Sequence, residues 1–428
     1  MTFFLSFFLP LVFWGCFALL AHSYVFYPLL LALLARGKTL PPDRFGNDDE
    51  LPELAVLMAV YNEEAVLGET LDSILASEYP PEKMHIWIGS DGSTDRSDAI
   101  VRSCRERHPN LRLTVFGGRN GKIRIINQLA AEAAERFADP DSALFVLCDA
   151  NVVWTPTLAR RLAGHFKRRE VGLVGAAVMD KIRRHAGIGD AEETYIGREN
   201  LVKYREGVLW GNVMGAFGAC YAMRASLFSP VPTHHIVDDF YLTLQCLENG
   251  SRAIVDLEAV CHEAVSTEIR EEFRRKSRIA TGNFQNFQRF RRFLRPWNSN
   301  FATFFAFWSH KGLRWFGPFL LLGMMVAAAG LAWFSPFYLL AAIGLAGSFG
   351  LAGLDAWLNR REGGRHVKLF RFIRYFYSMN AALFLGFVRY CKGPGTSVWE
   401  PTKREGVPAS DGPAGSPRPD QAPRPARR

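Results

Sequence analysis

The sequence lacks any cysteine framework. Its seven cysteines (Cys16, Cys104, Cys148, Cys220, Cys246, Cys261 and Cys391) are odd in number, scattered and never spaced C-x-x-C. That excludes the common zinc-ribbon and disulfide-scaffold classes and fits a reducing compartment. A basic leader is also missing. Met1-Thr2 runs straight into apolar residues, and the run is too long for a signal-peptide core, so a retained anchor is expected. A P-loop is absent too. Gly117-Gly-Arg-Asn-Gly-Lys122 has Phe116 where the first Gly belongs and Ile123 where Ser or Thr should follow the Lys. A glycine turn presenting Lys122 to a ligand stays open. Acidic residues are in deficit, 42 against 51 Lys and Arg, for a net charge of +9. The basic excess sits mostly beside apolar runs, as membrane flanks do, so no nucleic-acid partner is expected.

Long apolar runs occupy the two ends of the chain. Phe3 to Leu34 is long enough to span a bilayer, and Arg36 and Lys38 behind it place the next segment in the cytoplasm. Towards the other end, Phe301 to Trp308 is short and aromatic and suits the membrane interface. Arg314 to Phe334 and Phe337 to Leu358 are candidate spans, with basic residues Arg360, Arg361, Arg365 and Lys368 behind them. Phe372 to Tyr390 is a third candidate, but spanning there puts Lys392, Lys403 and Arg404 on the wrong side; it can equally re-enter or lie flat. The tail from Gly406 to Arg428 is rich in Pro, Ala and Arg, a composition that favours disorder.

The middle alternates strand and helix patterns. Leu54–Val60, His85–Gly89, Leu111–Phe116 and Ala143–Cys148 read as buried strands, separated by helical periodicities. Such alternation predicts an α/β fold with a mostly parallel, Rossmann-like sheet whose ligands bind beyond the carboxyl ends of the strands. Polar clusters stand at those ends: Tyr61-Asn-Glu63-Glu, Ser90-Asp91-Gly-Ser and Asp149-Ala-Asn151. Asp149 and Asn151, at i and i+2, point the same way on an extended chain and can offer oxygens to a cation. Alone, they equally read as a strand-ending acid and a turn. Asp238-Asp239 precedes an apolar helix; one of the pair can be an N-cap, and two close acids raise one pKa, which suits a base. Arg274-Arg275-Lys276-Ser-Arg278 can hold a diphosphate, or be a solvated face or a headgroup contact. His262 and Glu263 end a further strand, where a structural His is the simpler reading than a metal ligand.

Taken in order, these pieces resemble the family 2 glycosyltransferases of the GT-A fold, the group of cellulose, chitin and hyaluronan synthases. The likeness covers about Leu54 to Arg295. It implies an inverting transferase that moves a sugar from a nucleotide-sugar, commonly a UDP-sugar, to a hydroxyl of a lipid-linked or growing glycan acceptor, with Mg²⁺ or Mn²⁺. By the same resemblance Tyr61, Glu63, Asp91 and Lys122 line the nucleotide pocket. Asp149 binds metal and ribose with Asn151 beside it, Asp239 is the general base next to Asp238, and Arg275 and Arg278 hold diphosphate or acceptor. Trp399 and Arg404 resemble a short motif that follows the last membrane segment in relatives. Three motifs depart from the family pattern. Ser90 replaces the first Asp of an Asp-Asp pair, Asn151 the second Asp of D-x-D, and Arg275-x-x-Arg278-Ile279 stands for Q-x-x-R-W, whose Trp accompanies processive synthesis. A processive synthase and a non-catalytic scaffold for glycan export are the competing expectations.

The expected organisation is an anchor at 1–37, a linker at 38–53 and a catalytic domain at 54–295. An interfacial segment at 296–313, a membrane region at 314–391 and a basic tail at 392–428 follow. The expected setting is multi-pass in the inner (plasma) membrane with the catalytic domain cytoplasmic. Membrane lipids, and export or assembly partners, are the expected company.

Overall fold

A computed structural model describes residues 2–180, 189–263, 269–358 and 367–393. Expectations on Arg360, Arg361, Arg365, Trp399, Lys403, Arg404 and 406–428 lie outside them. One eight-stranded sheet organises the chain in the order β3-β2-β1-β4-β7-β6-β8-β5. The four strands read from sequence form one parallel half: β1 (Leu54–Val60), β2 (Met84–Ser90), β3 (Leu111–Val115) and β4 (Leu144–Cys148). The other half is mixed: β5 (Val152–Trp154), β6 (Val171–Asp180), β7 (Cys220–Arg224) and β8 (Arg252–Glu263). β7 runs antiparallel to both β4 and β6, and β6 pairs parallel with β8.

Every residue of β1 is buried, because helices cover both faces. The period of two sends Ala55, Leu57 and Ala59 into one core and Leu54, Val56, Met58 and Val60 into the other. The helices α2 (Leu67–Leu75), α3 (Ser97–Arg107), α4 (Lys122–Ala134), α5 (Leu158–Gly164), α6 (Gly189–Trp210), α7 (Asp238–Glu248) and α8 (Ile269–Arg289) complete this layered unit, with an α1 ahead of it over residues 2–34. Parallel pairing in register sets the ends of β1 and β2 level, Val60 opposite Ser90, so their polar loops meet. Asn62, at φ 51°, turns its amide oxygen to accept from the Thr94 N–H at 2.8 Å. The Glu63 and Glu64 N–H groups donate to Ser97 Oγ and Asp95 Oδ2, both at 2.9 Å.

α1 passes through a π turn at His22–Phe26. There Ser23 Oγ donates to the Ser309 carbonyl at 2.7 Å, and Tyr27 Oη donates to Glu206 on α6 at 2.8 Å. α1 is therefore bonded to the α/β unit. Residues Phe301–Trp315 form α9 and Gly317–Leu331 form α10, meeting at a bend of 64°. Phe307 and Trp315 of α9 bury into the core of the α/β unit. This alters the expected 314–334 span, since α10 reaches only Gly317–Leu331. α11 (Pro336–Leu358) follows, then α12 (Lys368–Cys391). Among the described residues, Phe7–Leu34 and Pro336–Leu358 are long and apolar enough to cross a membrane, and the bent pair α9–α10 makes a third if it counts as one span.

α12 does not meet that test. It carries Arg371, Arg374 and Arg389 and lies along α8. The contact is close at Gly386, where a Cβ would come 2.3 Å from Ala280 Cβ. α12 is thus docked on the α/β unit, and it also packs against α11 and α10.

Candidate active site

The site forms where β1, β4, α4, α7 and α8 converge. β4 is five buried apolar residues that deliver Asp149 to the sheet edge, and the Asp149 N–H donates to the Ala219 carbonyl at 3.0 Å. The Gly117–Gly121 loop turns back with Gly118 at φ 70° and Gly121 at φ 87°, a region that costs L-residues energy. Asp91 holds this loop. Its carboxylate is fully buried and accepts from the Arg119 guanidinium at 3.2 Å, from the Gly121 N–H at 3.1 Å and from the Asn120 N–H. The Arg119 guanidinium also stacks on Tyr61, 3.3 Å from the ring centroid.

The loop leads into α4, whose first residue is Lys122. Its ammonium donates to Asp149 Oδ1 at 2.7 Å and lies 3.5 Å from Asp238 Oδ2. Burial alone would lower the Lys122 pKa, but the Asp149 and Asp238 carboxylates reverse that and hold it well above its ordinary value. Asp238 and Asp239 open α7, where a helix N-terminus favours negative charge. Asp238 Oδ2 is buried and makes no hydrogen bond. Asp239 is pushed up to about 6, first by burial and then by the Asp238 charge, against Lys122, Lys203 and the Phe240 N–H, which favour its ionised form. Gly218 lies against the Asp239 carboxylate, where a Cβ would stand 3.0 Å from Oδ2.

α8 closes the far wall. Arg275 pairs with Glu272 at 3.0 Å. Arg278 makes no ion pair or hydrogen bond among the described residues and faces the same cavity as Asp149 and Asp238. Burial draws its pKa down, and those two carboxylates oppose the shift. On the β4 side, Asn151 Nδ2 donates to Glu263 Oε1 at 3.0 Å.

The cavity measures about 530 Å³ and is lined by eight of the residues singled out in sequence: Glu63, Lys122, Asp149, Asn151, Asp238, Asp239, Arg275 and Arg278. Tyr61 and Asp91 are not in its wall; they sit behind it, against the Gly117–Gly121 loop.

Residues 55–230 match the family model for glycosyl transferase family 2, and residues 144–353 match that for glycosyl transferase family group 2. The chain belongs to the family 2 glycosyltransferases. A beta-monoglucosyldiacylglycerol synthase of Synechocystis sp. is 28% identical over 267 residues, 60% of this chain and 53% of that protein. A poly-beta-1,6-N-acetyl-D-glucosamine synthase of Staphylococcus aureus is 26% identical over 173 residues, 37% of this chain and 41% of that one. The chain thus spans about half the length of the curated relatives it matches. In structure it is similar to the mannosyltransferase PcManGT from Pyrobaculum calidifontis, solved in complex with GDP-Man and Mn²⁺. The TM-score is 0.65 at 22% identity, over 89% of this chain and 99% of that one. The fold is the GT-A glycosyltransferase fold.

Four further residues of this glycosyltransferase's cavity were legible only in part, or not at all, from local sequence. Glu263 is the strand-end neighbour of a His that drew more notice. Arg274 belongs to a basic run in which periodicity does not say which members face inward. Gly218 is one glycine among 37. Arg389 arrives from α12, one hundred residues after the end of α8, and the α8–α12 packing brings it in.

Proposed function

We propose that this glycosyltransferase moves a sugar from a nucleotide-sugar, a UDP-sugar in the commonest case, to a hydroxyl of a lipid-linked or growing glycan acceptor, with inversion. The observation that carries the reading is the division of labour in one cavity. Asp149 and Asp238 share the Lys122 ammonium, while Asp239 is pushed up to about 6 and Arg278 makes no ion pair among the described residues. A buried carboxyl whose pKa is raised towards neutrality, set in a cleft beside fixed cations, is suited to act as a base.

In the proposed step the acceptor oxygen bonds to the anomeric carbon as the bond from that carbon to the phosphate oxygen breaks. The hydroxyl proton passes to Asp239, and the nucleoside diphosphate leaves with the bonding electrons. Arg278 and Lys122 supply fixed positive charge where the diphosphate develops its own. Glu63 and the Gly117–Lys122 loop form the nucleotide side, and Asp91 and Tyr61 act through the loop they order. Arg275 braces α8 through Glu272 and borders the diphosphate.

The oxygen donors fit a hard divalent cation. Asp149 is partly exposed and meets the Lys122 ammonium through Oδ1, and Asn151 commits its amide nitrogen to Glu263 and so keeps its oxygen. Among the described residues no cluster of three His, Cys, Asp or Glu can hold a metal, so Mg²⁺ or Mn²⁺ would bind through Asp149 and Asn151 together with donor phosphates. Such an ion supplies charge neutralisation for the leaving diphosphate.

Ile279, an aliphatic residue, lines the cavity at the position where the resemblance to processive synthases would place a Trp. This favours single transfer over processive synthesis. The apolar helices Phe7–Leu34 and Pro336–Leu358 support a multi-pass setting, and Arg36 and Lys38 behind the first support a catalytic unit, about 54–295, on the cytoplasmic face of the inner membrane. The direct test is release of nucleoside diphosphate by the purified protein from a panel of UDP- and GDP-sugars with Mn²⁺ or Mg²⁺. Release with no donor would refute the reading and favour the scaffold.

A further inference from the structure

The polar cavity adjoins a second, larger one of about 750 Å³. Tyr195, Phe217, Val237, Asp239, Lys276 and Ile279 line both, and Asp239 is the acid they share. α1 supplies Val25, Pro28, Leu29 and Ala32 to the second cavity, and these belong to a helix apolar enough to cross a membrane. α12 supplies Phe372, Phe376, Met379 and Leu383 to the lining. The chamber therefore continues a surface suited to hydrocarbon up to the carboxylate proposed as base.

A buried cation interrupts this lining. Lys203 of α6 is only 4% exposed and makes no ion pair or hydrogen bond among the described residues. Its ammonium rests 3.3 Å from the centroid of the Phe217 ring. The nearby Glu199 is already taken by His310 at 2.9 Å, Lys311 at 3.0 Å and Arg314. A buried ammonium without a counter-ion is costly, and an anionic group from a ligand removes that cost. Burial, then the Lys311 charge, draws Lys203 down to about 7, although the Glu199, Asp239 and Glu206 carboxylates oppose the shift; Glu206 is itself engaged by Tyr27, His310 and the Met214 N–H. The whole lining is cationic in balance, six Lys and Arg against Glu199 and Asp239.

We propose that this chamber holds the acceptor, an anionic membrane amphiphile with a free hydroxyl. Its chains lie along α1 and α12, its anionic group pairs with Lys203, and its hydroxyl meets Asp239. The proposal rests on the transferase reading above and names its acceptor class. The hydroxyl oxygen takes the sugar, its proton goes to Asp239, and the nucleoside diphosphate departs.

The test uses the full chain with Mn²⁺ and its best donor from the panel. Three acceptors are compared: phosphatidylcholine vesicles carrying phosphatidylglycerol, the same vesicles carrying diacylglycerol, and a soluble chito-oligosaccharide. Transfer to phosphatidylglycerol should exceed both others. Lys203→Met should cut that preference by about tenfold or more, the usual scale for removing one side of a buried charge pair, and Lys203→Arg should restore most of it. Ala32→Trp, which fills the chamber from α1, should block lipid transfer. Thermal melts with nucleoside diphosphate show whether each variant is folded and binds nucleotide. Equal use of neutral lipid, preference for the soluble glycan, or an unchanged ratio in a folded Lys203→Met protein would overturn the proposal. Absence of nucleoside diphosphate release with every donor and acceptor counts against the transferase reading itself.

Discussion

Lowering the pH should switch this enzyme off earlier than an ordinary carboxylate base would. Asp239 is buried beside Asp238, and those two causes raise its pKa to about 6 in spite of Lys122 and Lys203. The ionised form is the base, so activity is present above that value and lost as pH falls through it. At pH 5 about one-tenth of Asp239 is ionised and at pH 7 about nine-tenths, so kcat/KM should drop about tenfold across that interval. An unperturbed Asp, near 4, would lose only about a tenth of its base form at pH 5. Because Asp238 and Asp239 interact, the observed limb belongs to the pair. The same shift acts on stability with the opposite sense. A carboxyl raised on folding stabilises the protein below its unfolded value, and that contribution is lost as pH rises through 6. Lys122→Met removes a cation that favours the ionised form, so the acid limb should move to higher pH. The assay is nucleoside diphosphate release at saturating and limiting donor from about pH 4.5 to 8, with melts at each pH. A flat profile down to pH 5, or a limb that moves down in Lys122→Met, would refute the reasoning.

Other expectations concern the walls of the site. Arg278→Ala should lower kcat about 100-fold, the scale of losing one transition-state charge donor, with an unchanged melting temperature because Arg278 makes no ion pair or hydrogen bond among the described residues. Gly386→Val inserts a side chain where Ala280 is already 2.3 Å from a Cβ, so α12 must shift off α8. A loss of about 1–3 kcal/mol in stability, read by thermal melts, and a fall in activity as Arg389 withdraws should follow. Chelation with EDTA should abolish release and added Mn²⁺ or Mg²⁺ should restore it, while circular dichroism stays unchanged.

Much of this site is written in local sequence. An apolar run that stops at an acid is a strand delivering that acid to the sheet edge, so Asp91 and Asp149 were legible, and α7 announced itself through Asp238-Asp239. Their partners were not equally visible. That Asp91 is spent on the Arg119 to Gly121 loop depends on how β2 and the glycine turn meet in space. β6 and β7 escaped because β6 is rich in Gly and Ala, and the antiparallel insertion of β7 between β4 and β6 is a long-range pairing that no local period encodes. The spans were read by composition, which cannot foresee that α9 would bury Phe307 and Trp315 in the α/β core or that α12 would dock through Gly386. Lys203 lies on a helix of weak amphipathic pattern, where a lysine reads as solvated until its neighbours are known.

Asp239→Asn offers the most direct measurement of the central claim, because it keeps the shape and removes the base. Turnover with the best donor and acceptor, and nucleotide-sugar binding by calorimetry, should be compared with the wild type. The account predicts that turnover falls by about 10²–10⁴-fold while the donor dissociation constant stays within a few-fold. Turnover like that of the wild type in a folded Asp239→Asn protein would contradict it.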